Sequence, residues 1–177
     1  MKLAIFCSSS DSIDEKYKQN GYQVARFLAN QGHDVIFGGA KVGIMGQVAQ
    51  GFKDGGGKVY AKSMDVFDDE RYDYTDSDDK QIFKKVSNRK DALIDEAQGF
   101  IVLEGGIGTY DELFSILALQ QIYPDSRKVI IYNENHYYDK LIELLQYTYD
   151  KHFMSQKENE LYYIAYSKEE IERILEG

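Results

Sequence analysis

The sequence predicts an α/β protein, a doubly wound, Rossmann-like parallel sheet with helices on both faces, formed as one domain by residues 1–177. Two observations carry this reading. Short apolar runs (LAIFC, DVIF, GFIVL, VIIY) recur along the chain with helical patterns between them, and strands that are continuously apolar are covered on both faces, as parallel strands are. A chain of 177 residues with 43% apolar content can also bury a single large core.

The elements run in order. Lys2 to Cys7 reads as a buried strand, and a helix from about Asp14 to Gln31 sets Tyr17, Val24, Ala25 and Leu28 on one face. His33 to Phe37 is a second strand, Gly43 to Lys53 a short helix, and Lys58 to Ser63 a third strand behind the breaker Gly55-Gly56-Gly57. A helix is expected from about Lys80 to Glu96, then the strand GFIVL, a helix from Thr109 to Tyr123, the strand Lys128 to Tyr132 and a helix from Tyr138 to Lys151. A short strand, Tyr162 to Tyr166, precedes a last helix opened by the capping box Ser167-x-x-Glu170.

Composition excludes several classes of function. The formal charge is −9, and the segment DVFDDERYDYTDSDD (residues 65–79) holds eight acids against Arg71 alone, so duplex nucleic acid is not expected as a partner. That segment lacks the spacing of a calcium loop and reads as a solvated surface loop. There is no apolar stretch of 18 residues, so no membrane partner is expected, and LAIFC is too short for a signal peptide. The protein is expected in the cytoplasm. One cysteine, Cys7, and three isolated histidines give neither a disulfide nor a metal-ligating set, and no metal or cofactor is expected.

Three strand ends carry the chemistry. The first runs into Ser8-Ser9-Ser10, the second into GGAKVGIMG (residues 38–46) and the fourth predicted strand into LEGGIGTYDE (residues 103–112). In a parallel sheet all three reach the same edge, where ligands bind. A strand that breaks into glycines and re-enters a helix offers backbone N–H groups and the positive end of the helix to an anion, most often phosphate. The glycines do not form G-x-G-x-x-G and no P-loop occurs, which disfavours a dinucleotide dehydrogenase or an NTPase. On the helix predicted through residues 82–97, Arg89 and Lys90 interrupt the apolar stripe of Ile82, Val86, Leu93 and Ala97. They either snorkel to water or point at an anionic ligand. Thr109-x-x-Glu112 fits a capping box, so a structural role for Glu112 competes with a catalytic one. A carboxylate beside a phosphate loop would stabilise the positive charge that builds on a sugar ring as an N-glycosidic bond breaks.

These residues resemble the LOG ("lonely guy") family, the cytokinin riboside 5′-monophosphate phosphoribohydrolases, often labelled lysine decarboxylases. LEGGIGTYDE is similar to that family's P-G-G-x-G-T-x-x-E motif, FCSSS to its C-G-S-S opening, GGAKVGIMGQVA to its G-G-G-x-x-G-L-M-G-x-V-A segment and SNRKDAL to its M-x-x-R-K-x-x-M segment. The resemblance implies a homodimeric enzyme that hydrolyses adenine-type nucleoside 5′-monophosphates, AMP or a cytokinin riboside monophosphate, to free base and ribose 5-phosphate without metal or redox cofactor. It assigns Arg89 and Glu112 as catalytic, Gly105, Gly106, Gly108 and Thr109 as the phosphate loop, and Ser9, Gly39, Met45 and Lys90 to nucleotide-binding segments. An aromatic C-terminal part, from Tyr137 to Tyr166, agrees with a dimer surface.

Glu104 stands where the family has proline. A carboxylate about 4 Å from a bound phosphate would oppose it by roughly 1 kcal/mol in water, about fivefold in affinity. This departure keeps a second reading open, a nucleotide carrier or sensor without chemistry. A pyridoxal-phosphate decarboxylase fits poorly, because the chain is short for the usual fold and no motif places a lysine.

Overall fold

Successive side chains of a strand point to opposite faces, and here both sets are apolar. In the computed structural model, which describes residues 1–67 and 72–177, Leu3, Ile5, Val35, Phe37, Ile101, Ile130 and Tyr132 enter one core. Their alternates Ala4, Phe6, Ile36, Phe100, Val102, Val129 and Ile131 enter another on the opposite face. Each face must therefore be covered by helices.

The elements are β1 (Lys2–Phe6), α1 (Glu15–Asn30), β2 (Asp34–Phe37), α2 (Gly43–Asp54), β3 (Val59–Met64), β4 (Asp79–Phe83), α3 (Val86–Glu96), β5 (Gly99–Val102), α4 (Ile107–Ile122), β6 (Val129–Tyr132), α5 (Asp139–Asp150), β7 (Tyr163–Ala165) and α6 (Lys168–Glu176). Helices α1, α2 and α6 cover the first core through Val24, Leu28, Val48, Phe52 and Ile171. Helices α3, α4 and α5 cover the second through Leu93, Leu113, Leu117, Leu141 and Leu145. The sheet has the order β4-β3-β2-β1-β5-β6-β7, and every strand pair is parallel. The expected doubly wound α/β fold is thus present. Strands added after β1 run outward in one direction and those from β5 onward in the other. The crevice at the switch point lies above the carboxyl ends of β1 and β5.

Two expectations need correction. The helix expected from Lys80 to Glu96 is two elements: Asp79–Phe83 is an edge strand on β3, and only Val86–Glu96 is helical. Ile82 is half exposed on that strand and Val86 is 57% exposed, so the proposed stripe is not a single buried face. An edge strand needs neither a continuous apolar run nor strict alternation, and DKQIF has neither.

The acidic segment is the second. Residues 68–71 lie outside the described residues, but the chain from Tyr72 to Asp78 is not a free loop. The Lys41 N–H donates to the Tyr72 carbonyl (2.8 Å) and the Tyr74 N–H to the Gly39 carbonyl (2.9 Å), with an antiparallel bridge between Ala40 and Asp73. Asp73 pairs with Lys80. The Asp78 carboxylate accepts from the Val59 N–H (2.8 Å) and holds Lys53, and these bonds keep it below the usual carboxylate range.

Candidate active site

The three glycine and serine loops are tied to one another before any side chain is considered. The Ser8 N–H donates to the Glu104 carbonyl (3.0 Å), and the Met45 N–H donates to the Ser8 carbonyl (3.1 Å). One network thus joins the ends of β1 and β5 and the start of α2. Helix α4 begins at Ile107 behind Gly106, and no side chain caps it among the described residues, so the N–H groups of its first turn are available to an anion at the positive end of the helix dipole. Thr109 is buried in that turn. A Cβ on Gly105 would collide with the Thr109 side chain, so the loop closes on the helix only with glycine there.

This geometry removes the capping-box reading of Glu112. The capping box predicted at Thr109-x-x-Glu112 is absent: the helix starts two residues earlier, and Thr109 and Glu112 lie inside it. Glu112 instead sits in the second turn, 8% exposed, with Oε1 accepting from Arg89 Nη1 at 3.3 Å. The guanidinium is fixed from its other side by Nε donating to the Lys62 carbonyl (2.7 Å). Burial pushes the Glu112 carboxyl up to about 7; the Arg89 charge opposes that rise and Asp111 adds to it. A buried carboxyl that changes charge near neutral pH beside a fixed cation is poised for proton or charge work.

Arg89 also forms one wall of a cavity of about 430 Å³ lined by Ser9, Gly38, Gly39, Ala40, Val42, Met45, Ser63 and Tyr72. Of the sequence-predicted residues, Ser9, Gly39, Met45 and Arg89 therefore meet in one cavity. Glu112 is joined to it through Arg89. Gly105 and Gly106 line an adjacent hollow of about 210 Å³ with Ser8, Ile13, Tyr17, Ile44, Glu104 and Tyr137. Lys90 does not line either space, because its ammonium is held by both Asp111 oxygens (2.9 and 2.8 Å) and by Ser115 Oγ (2.9 Å). A larger hollow of about 560 Å³ beside Tyr149 and Phe153 contains none of the glycine loops.

Several contributors were not read from the sequence. A Cβ on Gly38 would collide with the Arg89 guanidinium, so the first glycine of GGAKVG makes room for the arginine. Its position in a glycine pair was the only available signal. The loop after β6 braces the glycine loop between β5 and α4: Tyr137 Oη donates to the Gly105 carbonyl (2.8 Å) and Tyr138 Oη to the Leu103 carbonyl (2.6 Å). Glu104 joins this brace. It is 3% exposed, and its Oε1 accepts from Asn135 Nδ2 at 3.0 Å. Its Oε2 has no hydrogen-bond partner among the described residues, and burial raises its carboxyl above the usual range. The expected repulsion of phosphate by Glu104 therefore loses force, since burial favours the neutral form and one oxygen is bound to Asn135.

Comparison with known proteins agrees with the motifs. The model of the family described as "possible lysine decarboxylase" matches residues 45–175. The chain belongs to this family, the LOG family. Two relatives are the Arabidopsis thaliana cytokinin riboside 5′-monophosphate phosphoribohydrolases that are 25% and 26% identical over 175 residues. Those matches cover 99% of this chain and 82% and 81% of the relatives. Among solved structures, a molybdenum cofactor binding protein from Rippkaea orientalis superposes with a TM-score of 0.73 at 19% identity, covering 99% of this chain and 94% of the other. The molybdenum cofactor carrier protein of Chlamydomonas reinhardtii gives 0.74 at 13%, covering 99% and 98%. At these identities the two structures speak for the fold alone. LOG-family relatives are thus named as phosphoribohydrolases. Among the described residues, no helix is long and apolar enough to cross a membrane.

Proposed function

We propose that this LOG-family chain hydrolyses the N-glycosidic bond of adenine-type nucleoside 5′-monophosphates, releasing free base and ribose 5-phosphate. The observation that carries the reading is the largely buried Arg89–Glu112 pair (3.3 Å), set between a cavity and a helix start that no side chain among the described residues caps. In this reading the 5′-phosphate lies on the first-turn N–H groups of α4, which anchors the sugar and turns remote binding energy into positioning. The base enters the cavity beside Met45. As the bond from C1′ to the base nitrogen breaks, its electron pair leaves with the base, and the ionised Glu112 faces the positive charge on the ring. A water attacks C1′ and gives up a proton, and the base gains one. Arg89 holds Glu112 and adds a fixed positive charge toward the phosphate.

Incubation with AMP, GMP, CMP and N6-isopentenyl AMP, followed by chromatography for free base and ribose 5-phosphate, tests this reading. Base released from AMP and its N6-substituted analogue, with adenosine untouched, is the expected result. No base from any of the four removes it.

A second reading is a carrier or sensor that binds a nucleotide-like ligand without chemistry. Its support is the names of the two solved neighbours that share the fold, a molybdenum cofactor binding protein and a carrier protein. Tight AMP binding without turnover would select it. The decarboxylase in the family's description has less support, because pyridoxal phosphate needs a lysine amine and, among the described residues, none lines the cavity. We also infer a homodimer acting in the cytoplasm. The support for the dimer is the family resemblance and the exposed apolar side chains of α4 and α5.

A further inference from the structure

We propose that Tyr72 is the aromatic wall of the base slot, stacking on the flat heterocycle of the bound nucleotide; this rests on the nucleotide reading of the site. Tyr72 lines the same cavity as Met45, Val42, Gly39 and Arg89, and it is 49% exposed. A tyrosine with half its surface open to water is ordinary. This one is unusual in how firmly its main chain is held at the cavity mouth. Its carbonyl accepts from the Lys41 N–H (2.8 Å), the Tyr74 N–H two residues on donates to Gly39 (2.9 Å), and Asp73 between them bridges to Ala40 and pairs with Lys80. Tyr74 is buried and packs edge-on against Phe37, with ring centroids 5.7 Å apart at 84°. The backbone of Tyr72 is therefore clamped onto the glycine loop that forms the floor of the cavity.

The lining divides by chemistry. Val42, Ala40 and Met45 are apolar, while Ser9, Ser63 and the Arg89 guanidinium are polar. A phosphosugar needs the polar groups alone, whereas an apolar portion walled by an aromatic ring on a clamped backbone suits a flat π-face. Stacking of this kind tolerates different bases, because every base has such a face. It assigns Tyr72 to affinity for the base rather than to bond cleavage.

Titration calorimetry with AMP and with ribose 5-phosphate, which lacks the base, tests the assignment. Tyr72→Ala is expected to weaken AMP binding about 5- to 100-fold and to leave ribose 5-phosphate affinity unchanged, while Tyr72→Phe stays within about twofold of wild type for both. If the alanine variant melts early, Tyr72→Leu keeps bulk on the same backbone and should show the same selective loss. Equal loss for both ligands, or no loss for AMP, overturns the proposal and leaves Tyr72 as a structural clamp. Wild-type protein that binds neither ligand removes the nucleotide reading itself, a result distinguishable from either outcome in the variants.

Discussion

Glu112 shows how one residue's meaning depends on where a helix begins. As the fourth residue of Thr109-x-x-Glu112 it could have served only to cap α4, but the helix opens at Ile107 and carries Glu112 into the interior opposite Arg89. Glu112→Gln is therefore expected to keep the fold, read by circular dichroism, and to lower turnover of AMP about 100-fold or more. Turnover that survives the change would return Glu112 to a structural role. The pH dependence has a definite sign. A carboxyl that must be ionised to face a positive ring, and that titrates near 7, makes kcat/KM rise with pH through about 7 and level above it. A falling limb there would make Glu112 a proton donor instead. Stability runs the other way: the folded carboxyl holds its proton more tightly than the unfolded one, so wild type loses stability as pH rises from about 4.5 to about 7. Glu112→Gln should then melt higher than wild type at pH 8, with the difference closing toward pH 4.

Among the elements, the loop from β5 into α4 depends on contacts from outside itself. The family's proline would stiffen the turn by fixing φ; here Glu104 takes that position and is held by Asn135, while Tyr137 and Tyr138 bind the carbonyls on either side. Replacing Tyr137 by phenylalanine frees the Gly105 carbonyl and should raise KM for AMP a few-fold with kcat nearly unchanged, because a neutral hydrogen bond contributes roughly 0.5–1.5 kcal/mol. Steady-state kinetics at fixed pH checks it. A matched fall in kcat would mean that the brace acts on the transition state. The same tetrad pattern succeeds at α6, where Ser167 Oγ accepts from the Glu170 N–H (3.2 Å). It fails at α4 because the helix already begins at Ile107, which leaves Thr109 inside it. Sequence spacing marks a cap but does not choose between two nearby starts.

At the scale of the whole molecule, the aromatic C-terminal part is divided between core and surface. Tyr138 and Tyr162 are fully buried, whereas Tyr147 and Phe153 are exposed, together with Phe114, Ile122 and Tyr123 of α4 and its end. Apolar side chains on two helices that cover the same sheet face form a surface suited to a second copy. Light scattering at micromolar concentration is expected to give twice the mass of one chain, and Phe114→Glu to reduce it toward the single chain. A monomeric wild type would show that these residues serve no self-association.

The parallel sheet, its two apolar faces and the convergence of three loops at one edge were legible from residues alone, because continuous apolar runs between helical patterns leave few topologies. The family was legible from motifs, and its resemblance singled out Arg89 and Glu112 without saying that they touch. The edge strand β4 was not, since DKQIF gains its hydrogen bonds from β3 rather than from any pattern of its own. Only the tertiary structure decided that Glu112 faces Arg89, that Lys90 is held by Asp111, that Glu104 is buried on Asn135 and that Tyr72 to Tyr74 are clamped beside the cavity. Each of these depends on which distant segment lies opposite a side chain, and burial, pairing and the resulting shift in charge come from that neighbour, not from spacing along the chain.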